Sequence, residues 1–188
     1  MLETFGPRDE YGMESPVISP VDRRVAVDRT LPDGQDVYIL DPDPQRFTFV
    51  KGRDATPIWS PDGRSVPYQS NESGTLEFNV VPFLGKPRPL QVSTGGGIWP
   101  RWSADGQELY YLRLNDGMLV AVSVTVKGAE LERGSTRELF RPRIVSSNVS
   151  FHKEYDVDPR GRFLINVPVQ DAVTPAITLV ENWKPPST

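Results

Sequence analysis

Four segments of this chain align on one short turn, and that repeat constrains the fold more than any other feature. S-P-V-I-S-P-V-D-R-R-V-A-V starts at Ser15 and T-P-I-W-S-P-D-G-R-S-V-P-Y at Thr56. W-P-R-W-S-A-D-G-Q-E-L-Y-Y starts at Trp99 and E-Y-D-V-D-P-R-G-R-F-L-I-N at Glu154. The matched turn positions Pro20, Pro61, Ala104 and Pro159 lie 41, 43 and 55 residues apart. The longer last gap holds the polar stretch Ser146 to Ser150, which reads as an inserted loop.

Each copy has a physical logic. Asp62-Gly63 and Asp105-Gly106 are hairpin-turn chemistry, with glycine taking the positive φ and aspartate bonding the backbone that follows. Arg160-Gly161 keeps the glycine and loses the aspartate. Val21-Asp22 keeps neither position, so the first turn is the degraded copy. An apolar strand follows each turn: Val25-Ala26-Val27, Leu109-Tyr110-Tyr111 and Phe163-Leu164-Ile165. Pro67 interrupts the second of the four and predicts a bulge or a missing ladder bond there. Third strands read as Asp36 to Leu40, Leu76 to Phe83, Met118 to Val126 and Ala176 to Trp183. Fourth strands read as Arg46 to Val50, Arg88 to Val92 and Arg137 to Phe140. No dozen residues show a 3.6-residue period, so the chain is all-β. The 15 Gly and 19 Pro among 188 residues suit many short strands joined by turns.

A period in the low forties is that of a four-stranded propeller blade. The x-P-x-W-S-P-D-G-x-x-apolar-x-Y pattern resembles the TolB-like, WD40-like β-propeller repeat of bacteria. The resemblance implies about four four-stranded antiparallel blades, at 13–50, 54–93, 97–140 and 151–183, the last completed by 1–6. The tail from Phe163 to Trp183 looks like the last blade of propellers attached to bacterial serine/threonine kinases or sensory proteins. No kinase signature is present.

Unit four runs out after its third strand, and Leu2-Glu3-Thr4-Phe5 is the candidate for its fourth. Closure of the ring removes exposed strand edges. Three arrangements remain open: a small ring closed by one chain, an eight-bladed ring shared by a homodimer, or a portion of a longer protein.

Net charge is −4 and no basic stripe is present, which argues against nucleic acid or an anionic membrane as partner. With no cysteine there is no disulfide framework and no thiolate metal site. The N-terminus lacks a basic segment followed by an apolar one, so it is not a signal peptide. Location is expected to be cytoplasmic if Met1 is the native start, and periplasmic or membrane-tethered if a longer protein surrounds the chain.

The single histidine, His152, lies in F-H-K-E-Y-D-V-D. Strand alternation would put His152, Glu154, Asp156 and Asp158 on one face. Glu154, Asp156 and Asp158 are then candidate oxygen ligands for calcium. The alternative is a solvated polar strand, with Asp158 capping its turn. A Ser-His-acid site would have to use His152, and its carboxylate neighbours share its strand. Trp59 and Trp102 occupy one repeat position, held by Ile18 and Val157 in the other units, and predict packing between blades. Trp99 falls outside that register and follows Gly95-Gly96-Gly97. It reads either as an exposed loop anchor beside Arg101 or as a cover for the end of the core. The candidate binding set is therefore Trp99, Arg101, His152, Glu154 and Asp156. The structural repeat set is Trp59, Asp62, Gly63, Trp102, Asp105, Gly106 and Gly161.

The leading functional expectation is a non-catalytic scaffold that binds a protein or small ligand through its rim loops and channel. The alternative is a calcium-dependent hydrolase or lactonase on the same scaffold.

Overall fold

The computed structural model describes residues 13–31, 34–40, 47–50, 54–83, 88–127, 130–144 and 154–167. Every regular element among them is a β-strand. Unit one is the sheet β1 (Met13–Ile18), β2 (Val25–Leu31), β3 (Gly34–Leu40) and β4 (Phe47–Val50), paired in that order. Unit two is β5 (Asp54–Ala55), β6 (Ser65–Ser70), β7 (Glu77–Pro82) and β8 (Leu90–Gln91), also in order. Unit three is β9 (Gly97–Trp102), β10 (Glu108–Arg113), β11 (Leu119–Lys127) and β12 (Glu130–Phe140). Unit four shows β13 (Tyr155–Val157) and β14 (Phe163–Ile165). All pairings are antiparallel. The strand expected at Ala176 to Trp183 and the closing segment at 1–6 lie outside the described residues.

Strands two and three of units two and three are buried on both faces, because each of those sheets lies between two neighbours. Leu109 and Tyr111 pack with Phe78 and Val80 of unit two. Tyr110 and Leu112, on the opposite face, pack with Tyr155 of unit four. Trp59, Val66 and Tyr68 pack on Ala26, Val37 and Ile39 of unit one. The Trp59 indole also donates to the Val17 carbonyl at 2.9 Å. Trp102 meets unit two in the same way through its ring, and its indole nitrogen has no partner among the described residues.

The first strands of units one to three share a device that the spacing did not reveal. Glu14 and Val17 oppose Asp28 and Ala26, so β1 carries one extra residue. Ile98 and Arg101 oppose Leu112 and Tyr110 in the same way. Unit two repeats it between the Ala55–Gln69 pair and the bond from Ile58 N–H to the Pro67 carbonyl. The bulge residues Thr56 and Trp99 have φ of 53° and 55°, unusual for residues without a glycine hydrogen and costing about 1–3 kcal/mol each. The irregularity expected at Pro67 therefore falls on the first-strand side. The β6–β7 register runs unbroken through Pro67 and Val80.

Strand β12 differs from expectation as well. It runs eleven residues, not the four read at Arg137 to Phe140. E-L-E-R-G-S-T-R-E is almost wholly exposed, so no apolar alternation betrays it. Charge along an outer edge is a common means of discouraging further strand pairing.

At the first joint, the Arg24 guanidinium lies 5.0 Å from the Trp59 ring centroid and 3.8 Å from that of Phe83. It also bonds the Gly63 carbonyl at 3.1 Å and the Asp22 carboxylate. Bonding to Arg24 lowers the Asp22 carboxyl from 3.8 to about 2. A depressed carboxyl contributes stability that is complete above its unfolded value and lost as pH falls through the folded one. Asp22→Asn should lower the melting temperature at neutral pH, and the gap to the parent should close between about pH 4 and pH 2.

Gly63 gives a second check. It has φ of 67°, and an added methyl would meet Val21 Cγ2 of unit one at 2.2 Å. Gly161 has φ of 75° with open space around it. In urea unfolding, Gly161→Ala should cost about 1–2 kcal/mol from backbone strain alone, and Gly63→Ala clearly more.

Candidate functional site

The repeated turns converge on one rim. In unit two the Ser60 hydroxyl donates to Asp62 Oδ1 at 2.6 Å and accepts from the Arg64 and Ser65 N–H groups at 3.1 and 3.0 Å. In unit three Ser103 donates to Asp105 Oδ1 at 2.6 Å and accepts from Glu108 N–H at 2.9 Å. Asp62 Oδ1 and Asp105 Oδ1 each also accept one backbone N–H at 3.1 Å. The serine hydroxyl holds the Asp105 carboxyl below the usual carboxylate range, so it stays ionised in mild acid. Unit four fuses the two roles. Asp158 Oδ1 accepts from both Arg160 and Arg162 N–H, at 2.9 and 2.8 Å, and Oδ2 takes the Arg162 side chain at 2.7 Å.

These turns enclose a cleft of about 750 Å³. Asp62 and Arg64 come from unit two, Asp105, Glu108 and Tyr110 from unit three, and Gly161 from unit four. Glu108 accepts from Arg137 at 2.9 Å and from the Tyr110 phenol at 3.2 Å. Burial, and then the Glu108 charge, raises the Tyr110 phenol, which keeps its proton as a donor.

A second cleft of about 510 Å³ brings together Arg101, Glu154 and Asp156 of the expected binding set. Arg101 Nε reaches Asp156 Oδ1 at 3.1 Å, and its guanidinium stands 5.8 Å from the Tyr155 ring centroid. Glu154 is buried and accepts from Asn166 Nδ2 at 2.8 Å. Tyr155 is buried too, and its hydroxyl donates to the Trp99 carbonyl at 2.7 Å. Burial pushes the Tyr155 phenol well above its ordinary value.

Two expectations change here. Trp99 is not an exposed loop anchor. It is 5% exposed and packs among Ile98, Tyr110, Leu112 and Tyr155. The carboxylates Glu154, Asp156 and Asp158 do not converge as a calcium cluster. Glu154 and Asp156 line one cleft, whereas Asp158 turns into its hairpin, and each is bonded to a different partner. No group of three metal-ligating side chains occurs among the described residues. His152 lies outside the described residues. Asn166 and Leu164, which also line this cleft, were missed. The signal was available: pairing across the Gly161 turn sets Leu164 opposite Asp156 and brings Asn166 N–H to the Glu154 carbonyl.

Several solved propellers share this fold. TolB from Acinetobacter baumannii superposes with a TM-score of 0.53 at 16% identity, over 78% of this chain and 35% of that one. The β-propeller domain of the trilobed protease from Pyrococcus furiosus gives 0.54 at 18% identity, over 87% and 50%. A Bacteroides uniformis protein proposed as a 6-phosphogluconolactonase gives 0.53 at 16%, over 84% and 48%. The chain thus spans between about a third and a half of these structures. No protein-family model matches the sequence, and no curated protein matches it. The fold is the all-β propeller fold.

If the serine–aspartate couple shapes the rim, Ser103→Ala should remove both a bond to Glu108 N–H and the support of Asp105. The Asp105 carboxyl should then titrate nearer its ordinary value, measurable by carbon-detected NMR, while Asp158 is unmoved.

Proposed function

We propose that this chain is a non-catalytic recognition scaffold whose rim cleft takes a cationic, extended segment of a partner protein. The observation that carries this is the cleft to which unit two brings Asp62 and unit three brings Asp105 and Glu108, bounded by the turn of unit four at Pro159 and Gly161. In Asp62 and Asp105 the turn bonds fall on Oδ1 alone. Charge placed on a rim steers encounter and selects partners more than it adds affinity. The Tyr110 phenol, which donates to Glu108 at 3.2 Å, helps hold that carboxylate in the cleft. That TolB and the protease propeller domain share the fold supports a scaffold only at the level of architecture.

Synthetic basic, neutral and acidic peptides, titrated calorimetrically into the chain, test this reading. Basic peptides should bind with an affinity that falls as salt rises. Asp62→Asn and Asp105→Asn keep an acceptor for the turn, so melting should hold while binding weakens by about threefold each. Equal binding of all peptides, or binding indifferent to both variants, would remove the rim from consideration.

The enzymatic alternative rests on Glu154 and Asp156 sharing the second cleft. Calcium-dependent lactone turnover, lost in Asp156→Asn, would displace the scaffold reading. The scaffold reading expects no turnover and no calcium-dependent shift in melting.

A further inference from the structure

The three carboxylates that line the rim cleft are held in different ways. Asp62 and Asp105 are bonded within their own turns, each through Oδ1 to a serine hydroxyl and one backbone N–H. Glu108 carries a cation from a distant strand. Arg137 Nη2 donates to its Oε1 at 2.9 Å and reaches its Oε2 at 3.2 Å. The register of the sheet explains that reach. Tyr110 pairs with Ala121 and Ala121 pairs with Arg137, so these three lie in one row across β10, β11 and β12. Glu108 stands two residues before Tyr110 and shares its face.

Glu108 thus has two supports, and only one of them is fixed. The Tyr110 phenol donates to Oε2 at 3.2 Å from a buried ring set edge-on against Phe163 of unit four. It cannot leave without opening the joint between the two units. The Arg137 side chain is 60% exposed on the outermost strand of its sheet. An exposed ion pair contributes little net free energy, because water takes over both charges when it opens. The backbone of Arg137 is held by its pairing with Ala121, so breaking the contact moves a side chain and leaves the strand in place.

We propose that Arg137 is an in-chain competitor for the rim cleft: it occupies Glu108 in the free protein, and a basic side chain of the incoming segment displaces it. This rests on the reading of the cleft as a site for a cationic segment, and it states how that site is regulated. Tyr110 keeps the carboxylate in position through the exchange, so Glu108 passes from one cation to another without reorganising. Every basic segment must outcompete Arg137 at Glu108, which lowers affinity across the board. Segments too weakly basic to do so are excluded, and selectivity is set by a contact the chain makes with itself.

Calorimetric titration of an arginine-containing basic peptide into the full chain tests the proposal. Arg137→Gln should raise its affinity by about two- to fivefold. Two further arms separate displacement from a general change in the field of the cleft. Arg133→Gln removes the same charge from the same strand, but Arg133 bonds Thr94 and Thr136 instead of Glu108, so its gain should be much smaller. In a Glu108→Gln background, which keeps an acceptor for Tyr110, Arg137→Gln should give no gain, because the contact it relieves is already gone. An equal gain from Arg133→Gln, or a gain that persists without the Glu108 carboxylate, overturns the proposal. So does a parent that binds the peptide while Arg137→Gln binds it no better, and that result leaves the rim reading standing. If the peptide binds neither the parent nor Arg137→Gln, both readings fall.

Discussion

Burial of the inner sheets, those of units two and three, on both faces is the constraint on which the rest of this structure depends. A sheet with one wet face can alternate polar and apolar residues. Here β10 reads Glu-Leu-Tyr-Tyr-Leu-Arg, with four consecutive residues buried. Leu109 and Tyr111 need unit two, and Tyr110 and Leu112 need unit four. Each such side chain contributes about 1.5–3 kcal/mol only while its neighbour stays in place. Stability is thus shared between adjacent units, as in other stacked repeats.

Polar groups are arranged to keep those joints aligned. Arg24 links Asp22, the Gly63 carbonyl and two aromatic rings, so one cation ties the turn of unit one to the turn of unit two. Glu77 performs a comparable task inside unit two. It is buried, accepts from Gly96 N–H at 3.0 Å and bonds the Ser93 hydroxyl. The three-glycine segment is thereby fixed at the start of β9, immediately before the Trp99 bulge. A carboxyl buried this way is tolerated because each of its oxygens has a hydrogen-bond partner in the connection between β8 and β9.

The repeat made the architecture legible. Turn glycines, second strands and the shared position of Trp59 and Trp102 follow from aligning four segments, since local turn chemistry recurs with little tertiary interference. The failures have physical causes too. Trp99 was placed by its neighbours, three glycines and a proline, which suggest a loop. Its actual position is fixed by a bulge that shifts the register by one, and such a shift reverses which face a residue occupies. Strand β12 escaped notice because an exposed edge has no core to impose alternation. Strand alternation alone puts Glu154, Asp156 and Asp158 on one face, but the hairpin draws Asp158 to two backbone N–H groups.

Unit four shows how one substitution reworks a joint. Units one to three place proline after the bulge residue, at Pro16, Pro57 and Pro100. Unit four has Tyr155 there, and its strands pair without a register shift from Tyr155 to Val157. Losing the proline restores an N–H and a regular ladder. It also frees a long side chain to cross the joint. The Tyr155 hydroxyl uses that reach to bond the carbonyl of Trp99, the bulge residue of the preceding unit. The strain stored at Trp99 is therefore held from outside its own sheet. Arg101, anchored on Tyr155 and Asp156 beside it, belongs to the same contact. Where units one to three have a proline, unit four has a joint rebuilt around a tyrosine.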